Sequence, residues 1–198
     1  MPRPCLKVVI GSTRPGRRGP AIASWFHRLA TRHSGFDPHL VDLADLRLPL
    51  LDEPHPPQRG RYQHEHTRRW SAIADAADAY AFVVPEYNHS YNAATKNALD
   101  YLAREWRDKP VAFVSYGGVS GGTRAVQALI PVVTALGMLP LPGAVHIPGI
   151  RQLCTPEGTF TSSPGLDESA VGVLDELLRI TGAHPRARQT ATPVSPVG

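Results

Sequence analysis

The sequence lacks the features that mark secreted, zinc-binding and membrane-spanning proteins. Its 198 residues include only two cysteines, Cys5 and Cys154, which are far apart and in no metal-ligand spacing. This excludes a disulfide framework and a cysteine-based metal site, so we expect a cytoplasmic protein without a bound metal. No apolar run approaches the roughly 20 residues that span a bilayer. We therefore expect no membrane segment and no signal peptide.

Concentrated positive charge is absent as well. The formal net charge is +4 at pH 7 and the pI is about 9.3, yet the arginines and lysines are scattered among acidic residues. No aromatic stripe or basic helix accompanies them, which excludes a nucleic acid as partner. Apolar residues make up 42 % of the chain, an ordinary share for a globular protein.

What the sequence does contain is a regular alternation of strand and helix patterns. This alternation predicts the α/β class and a parallel sheet with right-handed crossovers. Five strands in this order fit a flavodoxin-like three-layer sandwich with strand order 2-1-3-4-5. We predict a single domain over residues 1–182 and a disordered tail over 183–198. The predicted strands include residues 7–10, 39–43, 80–84, 111–115 and 144–147.

Two further segments carry specific expectations. Residues 46–60 contain four prolines and predict an irregular loop, which is long for a compact domain and therefore functional or interfacial. Residues 93–105 predict a helix, whose end carries Tyr101, Leu102 and Trp106. These large apolar side chains exceed what one helix face of a small domain needs, so we expect them at a homodimer interface. Ordinary core packing is the alternative.

The first loop that carries chemistry follows the first strand. It combines glycines, hydroxyl side chains and arginines and runs into a helix, so its backbone N–H groups and the helix dipole favour an anion. Arginines beside it suit a doubly charged phosphate monoester. A solvated basic turn is the simpler alternative for Arg17 or Arg18 alone. The candidate phosphate ligands are Ser12, Thr13, Arg14, Arg17, Arg18 and Gly19.

Two better-known phosphate loops are excluded by single positions. Gly11 and Gly16 have the spacing of a Walker A loop, but Arg17 and Arg18 stand where the lysine and the hydroxyl belong. Without that hydroxyl there is no ligand for Mg²⁺. The dinucleotide pattern G-x-G-x-x-G fails because Thr13 replaces its second glycine. A mononucleotide phosphate remains.

The loop after the third strand offers groups that suit a flat heteroaromatic ring. Tyr87 can stack on such a ring, and the Asn88 amide can meet its edge. Pro85 and Glu86 begin this loop, and His89 and Asn92 are candidate substrate contacts at its far side. For Asn92 the simpler interpretation is a cap of the next helix.

The loop after the fourth strand has almost no side chains, so its backbone can approach a ligand closely. Its candidate ligand-binding residues are Ser115, Tyr116, Gly117 and Gly118. A plain flexible turn is the alternative. Because parallel strands end at the same edge of a sheet, all three loops are expected to converge there.

These three loops together resemble the signatures of the NADPH-dependent FMN reductase family of flavodoxin-like quinone, azo and flavin reductases. The matching segments are residues 11–14, residues 85–90 followed by 96–101, and residues 116–118 with 121–122. The resemblance extends from about residue 5 to residue 147. It implies FMN as cofactor, NADPH or NADH as electron donor, and a homodimer with the site at its interface. Asn92 and Thr95 depart from the proline and leucine that are common in the family, which bears on substrate preference.

We therefore predict an FMN-dependent oxidoreductase that passes hydride from NAD(P)H to a quinone, azo or similar acceptor by a ping-pong mechanism. Only Glu86 and His89 are acid–base candidates in the three loops; we expect Glu86 to anchor its loop and His89 to shape the entrance, with no indispensable acid or base. The alternatives are a dedicated biosynthetic flavoenzyme, a flavodoxin-like electron carrier without nicotinamide turnover, and a flavin sensor. The basic pI disfavours the carrier, because such carriers usually present acidic surfaces.

Overall fold

The protein is described here from a computed structural model, which covers residues 2–155 and 158–183. Within these ranges there are six strands and seven α-helices. In chain order they are β1 (Cys5–Ile10), α1 (Gly19–His33), β2 (Asp37–Asp42), α2 (Leu43–Leu46), α3 (Glu65–Asp75), β3 (Ala79–Pro85), α4 (Ala93–Asp100), β4 (Pro110–Tyr116), α5 (Thr123–Ala135), β5 (Leu139–Pro140), β6 (Val145–Ile147), α6 (Ile150–Leu153) and α7 (Pro164–Ala183).

The strands form one parallel sheet in the order β2-β1-β3-β4-β5, and β6 also pairs with β4. The predicted order is thus confirmed, with one change at its edge. The fifth position is shared by two short segments, because Pro140 and Pro142 interrupt the strand and supply no N–H for a ladder hydrogen bond.

Apolar clusters cover both faces of the sheet. Every residue of β3 and β4 is buried, as expected for continuous apolar strands between two helical layers. One cluster packs α1 and α7 against the sheet. The other packs α3, α4 and α5 against the opposite face. The α/β three-layer sandwich is confirmed.

Helix α4 is shorter than the sequence predicts, ending at Asp100 rather than near Glu105. Two indole groups explain the stop. Trp70 Nε1 donates to the carbonyl of Ala98 at 2.8 Å, and Trp106 Nε1 donates to that of Leu99 at 3.1 Å. These indole N–H groups supply hydrogen bonds to carbonyls of the last helical turn, where the helix ends.

The aromatic residues beyond α4 belong to the core. Tyr101, Leu102 and Trp106 each have an exposed fraction of 0 %, and Trp106 packs edge-on against Trp70 and Tyr80. The expectation that these side chains form a dimer interface is therefore wrong, and the core-packing alternative holds. These residues lie in an irregular turn that folds back onto the sheet, rather than on an exposed face of a helix.

The long proline-rich segment is mostly irregular, as predicted, with one 3₁₀ turn over Pro57–Arg59. The short helix α2 before it was not predicted; Asp42 caps it by accepting from the Ala44 N–H at 3.0 Å. No helix among the described residues has the length and apolarity to cross a membrane. The single-domain boundary at residue 182 stays a prediction. The predicted disordered tail lies, apart from Ala183, outside the described residues.

Candidate active site

The three predicted loops meet at the carboxyl edge of the sheet, and hydrogen bonds tie them together. Gly11 N–H donates to the carbonyl of Val83 at 2.9 Å, and Glu86 N–H donates to that of Tyr116 at 2.9 Å. The Asn92 amide donates to the Gly11 carbonyl at 2.7 Å. We call these segments the phosphate loop (residues 11–19), the second loop (85–92) and the third loop (115–122). Each loop is held by a neighbour, so the site is largely preformed.

The phosphate loop ends in an uncapped helix. Arg18 occupies the N-cap position of α1 without a capping side-chain bond, and no acidic residue lies in the first turn. Among the described residues, the N–H groups of Thr13, Arg14, Arg18 and Gly19 donate to no acceptor. Free N–H groups at a helix start, together with its dipole, form a ready site for an anion.

The arginines of this loop are used differently. Arg14 is exposed, and within the described residues the only hydrogen bond of its side chain is the one that Nη1 donates to the Pro15 carbonyl. Arg17 instead forms a bidentate ion pair with Asp42, with N–O distances of 2.6 and 2.7 Å. It also donates to the Ser12 carbonyl at 2.6 Å. The hydrogen bonds that Arg17 donates to Asp42 raise the pKa of Arg17. Arg17 is therefore engaged in holding the loop, whereas Arg14 faces solvent.

Arg18 lies beside a cysteine. Burial raises the pKa of the Cys154 thiol, and the neighbouring Arg18 guanidinium lowers it by less. The guanidinium is half-buried at the start of α1, so it adds positive charge to the phosphate loop.

Two glycines let the phosphate loop pack closely. A Cβ at Gly11 would lie 2.4 Å from Thr95 Oγ1, and one at Gly19 would lie 2.3 Å from Ser12 Oγ. Side chains at these positions would push the loop away from the sheet. Ser12 Oγ and Tyr116 Oη beneath it are buried and complete no hydrogen bond within the described residues.

The second loop contains a tight hairpin turn. Tyr87 and Ser90 exchange both backbone hydrogen bonds, at 2.8 and 3.0 Å. Asn88 and His89 between them have φ angles of 50° and 65°, the left-handed pair that defines a type I′ turn. This turn leaves the side chains of Tyr87, Asn88 and His89 exposed to the space above the sheet.

Glu86 anchors this loop to α5. Its carboxylate accepts from the Arg124 N–H at 3.2 Å and from the Arg124 guanidinium at 3.1 Å. Burial raises the pKa of Glu86, but hydrogen bonds from Ser120 and Arg124 outweigh it and leave the pKa below its ordinary value. An ionised, paired carboxylate has no proton to give, which agrees with the anchoring role expected from the sequence.

Asn92 is buried, with an exposed fraction of 6 %. Its amide donates to Gly11, and its Oδ1 accepts from Thr95 Oγ1 at 2.8 Å. It occupies the N-cap position of α4 but makes no capping bond, so the simpler interpretation fails in detail. These contacts let Asn92 position the phosphate loop, and its role as a substrate contact stays a prediction.

The third loop is held on the side that faces the sheet and is exposed on its other side. Gly117 N–H donates to the Ile147 carbonyl at 3.2 Å, and Gly122 lies so close to Ser115 that a Cβ there would come within 2.6 Å of the serine Cβ. Gly118 is exposed, and a Cβ at this position would meet nothing within 4 Å. Its N–H and that of Val119 donate to no acceptor among the described residues. They, rather than the Gly117 N–H, are free to meet a ligand.

Sequence reasoning missed His146, which supports this loop from β6. Its Nδ1 lies 2.7 Å from Ser115 Oγ, and Ser115 donates to the Gly121 carbonyl at 2.9 Å. Because the serine has one proton, the Nδ1 of His146 carries the hydrogen of the second bond. Burial lowers the pKa of His146. A single histidine in the otherwise apolar strand segment 144–147 is the sequence feature that could have indicated this role.

A cleft that the sequence did not reveal lies beside the phosphate loop. It has a volume of about 250 Å³, and it separates α2 from α4. Its lining residues are Thr13, Leu43, Ala44, Arg47, Leu48, Ala94, Asn97 and Ala98. Pockets that enclose a whole small ligand are usually larger, roughly 300–1,000 Å³, so this cleft suits only part of one.

The sequence His64-Glu65-His66 does not form a metal site in the structure. The two imidazole rings stack on each other, and His66 Nε2 bonds to Asp52 Oδ1 at 2.9 Å. In the part of the chain that the structure describes, no group of three or more His, Cys, Asp or Glu side chains is arranged to hold a metal ion.

Comparison with known proteins agrees with this geometry. Residues 6–152 match the family described as NADPH-dependent FMN reductase. The chain belongs to this family. It is accordingly an oxidoreductase with FMN as its cofactor and NAD(P)H as its electron donor.

Individual relatives cover most of the chain. An NAD(P)H-dependent FMN reductase of Schizosaccharomyces pombe is 37 % identical over 88 % of this chain and 90 % of its own length. One of Saccharomyces cerevisiae is 40 % identical over 71 % of this chain and 80 % of its own. Other relatives are named NADPH azoreductase and NADPH:quinone oxidoreductase. The structure of FerB, a flavoenzyme NAD(P)H:(acceptor) oxidoreductase of Paracoccus denitrificans, superimposes with a TM-score of 0.72 at 23 % identity, covering 91 % of this chain and 98 % of that one.

The described residues fit FMN on physical grounds. An uncapped helix start with free N–H groups and an exposed arginine suits the phosphate, and the two unpaired buried hydroxyls beneath it are the kind of group that a ligand completes. The open third-loop backbone and the exposed Tyr87 suit a flat ring.

Proposed function

We propose that this enzyme transfers hydride from NADPH or NADH to a quinone, an azo compound or a similar acceptor in a ping-pong sequence. The observation that carries the proposal is an open face between two fixed loops. Tyr87 is 37 % exposed on one side, and Val119 is fully exposed on the other. A rigid site that opens to solvent lets one flat ligand leave before the next one occupies the same place.

For FMN, we propose that the phosphate binds the N–H groups of the phosphate loop and the guanidinium of Arg14, with Ser12, Thr13 and Arg18 completing the contacts. The engagement of Arg17 with Asp42 supports an indirect role for that residue. The ring would lie between Tyr87 and Asn88 on one side and the third loop at Gly117 and Gly118 on the other. The free N–H groups of Gly118 and Val119 support this placement.

FMN supplies the redox chemistry when bound, because it accepts a hydride and passes it on. The task of the protein is to orient two flat ligands and to stabilise negative charge. The uncapped start of α1 supplies the positive end of a helix dipole where the phosphate would bind. The free N–H groups of the third loop supply partial positive charge where the ring would bind. Glu86 stays ionised and paired with Arg124, so it holds the loop rather than moving a proton.

The test is anaerobic mixing of the purified holoprotein with NADPH or NADH. Loss of the flavin's visible absorbance, followed by its return when a quinone or azo dye is added, is the expected result. A flavin that neither nucleotide bleaches would contradict the proposal and favour an electron carrier or a sensor. Bleaching that no quinone or azo compound reverses would point to a dedicated biosynthetic acceptor.

A homodimer with the site at its interface is proposed as well, although not through Tyr101, Leu102 and Trp106. Support comes from the proline-rich segment, where Leu50 is 81 % exposed and Leu51 is 43 % exposed. Asn97 of α4 holds this segment by donating to the Pro49 carbonyl and accepting from the Leu51 N–H. Light scattering should give twice the chain mass at micromolar concentration, and a Leu50→Asp variant should shift the protein toward monomer. A wild-type monomer would contradict this proposal.

A cytoplasmic location stays our proposal. Its support is the sequence, in which the two cysteines are unpaired and far apart; in the structure both are free. Fractionation of cells should recover the protein with cytoplasmic markers, and recovery in a secreted or membrane fraction would contradict the proposal.

A further inference from the structure

Two buried hydroxyl groups under the phosphate loop lack the hydrogen bonds that such groups normally make. Ser12 has an exposed fraction of 0 % and Tyr116 one of 5 %. Within the described residues, neither Ser12 Oγ nor Tyr116 Oη completes a well-formed hydrogen bond. Most buried polar side-chain atoms in native proteins have a partner, so two unpaired hydroxyls at one place point to a bound group.

Both hydroxyls lie directly beneath the first residue of α1. A Cβ at Gly19 would lie 2.3 Å from Ser12 Oγ and 3.1 Å from Tyr116 Oη. The two oxygens are thus neighbours, although one belongs to the phosphate loop and the other comes from the third loop. Only a residue without a Cβ leaves this space free.

One of the two hydroxyls can donate a hydrogen bond that the other accepts. Burial raises the pKa of Tyr116, and the Arg17 and Arg14 guanidinium groups lower it by less. The Tyr116 side chain therefore keeps its proton and can donate it. A serine hydroxyl can accept one hydrogen bond and donate another at the same time.

We propose that Tyr116 is a positioning residue for the FMN phosphate. Its hydroxyl donates to Ser12 Oγ and so directs the Ser12 proton to a phosphate oxygen. This inference rests on the proposed placement of the phosphate on residues 12–19. It makes the third loop, which borders the ring, a part of the phosphate site, and it links recognition of the two ends of FMN through one side chain.

The test compares two flavins that differ only in the phosphate. The full chain, freed of flavin, is titrated with FMN and with riboflavin, and the same is done for Tyr116→Phe, Ser12→Ala and the double variant. Tyr116→Phe is expected to weaken FMN binding roughly tenfold and to leave riboflavin binding unchanged. If Tyr116 acts through Ser12, the double variant should bind FMN no more weakly than Ser12→Ala alone.

A matched control removes a buried tyrosine hydroxyl far from the site. Tyr80 donates to the Ala74 carbonyl on the face packed against α3, so Tyr80→Phe should alter neither flavin affinity. Equal losses of FMN and riboflavin in Tyr116→Phe, or no loss of FMN, would overturn the inference. A wild-type chain that binds both flavins equally would instead overturn the phosphate placement itself, so the two failures are distinguishable.

Discussion

Two arginines of the phosphate loop, Arg14 and Arg17, should respond differently when each is replaced by alanine. Arg14 is exposed, and within the described residues its guanidinium donates only to the carbonyl of the next residue, Pro15. Its loss should leave the free energy of unfolding within about 0.5 kcal/mol of wild type. If its guanidinium binds the FMN phosphate, the missing charge-assisted bond should weaken FMN binding by about 1.5–3 kcal/mol, or roughly one to two decades.

Arg17 should instead affect stability. Its side chain is 19 % exposed and that of Asp42 is 16 % exposed, so their pair lies between a surface pair, worth about 0–1 kcal/mol, and a buried one, whose disruption costs about 3–5 kcal/mol. We expect Arg17→Ala to lower the free energy of unfolding by about 2 kcal/mol. For a chain of this length that is a fall in Tm of about 4–8 °C.

The assay is urea denaturation of the flavin-free proteins together with FMN titration of the same samples. Asp42→Ala breaks the same pair from the other side, and because Asp42 also caps α2 it should lower the free energy of unfolding at least as much as Arg17→Ala. Any weakening of FMN binding should be similar in Arg17→Ala and Asp42→Ala, because in both variants the Ser12 carbonyl loses a firmly held Arg17. Wild-type stability in Arg17→Ala combined with a large selective loss of FMN would refute this reasoning and make Arg17 a direct phosphate ligand.

Three further variants test other parts of the site. Gly117→Val should reduce flavin content in the purified protein, because a Cβ at Gly117 already lies 3.2 Å from the Gly122 nitrogen and 3.4 Å from the Glu86 Cβ; unchanged occupancy would count against the placement of the ring. His89→Asn, which keeps a residue that tolerates the left-handed turn, should reduce kcat by less than tenfold, near 1.4 kcal/mol of barrier, whereas a thousandfold loss in steady-state assays would make His89 catalytic. In the folded protein the pKa of Glu86 lies below its ordinary value of 4.5. The ionised side chain therefore stabilises the fold at pH values above 4.5, and this stabilisation is lost as the pH falls through the pKa of the folded state. Glu86→Gln should therefore be less stable than wild type at pH 7 by about 1–2 kcal/mol, and the difference in unfolding free energy should shrink in strongly acidic buffer; a constant difference would refute the ionised state.

The sheet order and the three converging loops could be predicted because their signals are local. Apolar runs such as residues 80–84 mark buried strands, and glycine-rich segments mark the turns that follow them. The end of α4 could not be predicted in this way. It depends on indole N–H groups from Trp70 and Trp106, which reach the helix only after the chain has folded.

The same limit applies to individual site residues. Arg14 and Arg17 have the same side chain in one loop, and they differ only because Asp42, 25 residues further along the chain, meets Arg17. Tyr116 was expected beside the flavin ring from its neighbours in sequence. In the structure its hydroxyl also lies near Ser12 Oγ beneath the phosphate loop, because the pairing of β1, β3 and β4 brings the ends of these strands together.

The central claim is that donor and acceptor use one site in turn, and initial rates test it most directly. The rate of NADPH oxidation is measured against NADPH concentration at several fixed concentrations of a quinone or azo acceptor. Parallel lines are expected in double-reciprocal plots, because the nicotinamide product leaves before the acceptor binds. Intersecting lines would contradict this claim, since they would require both ligands to be bound at once.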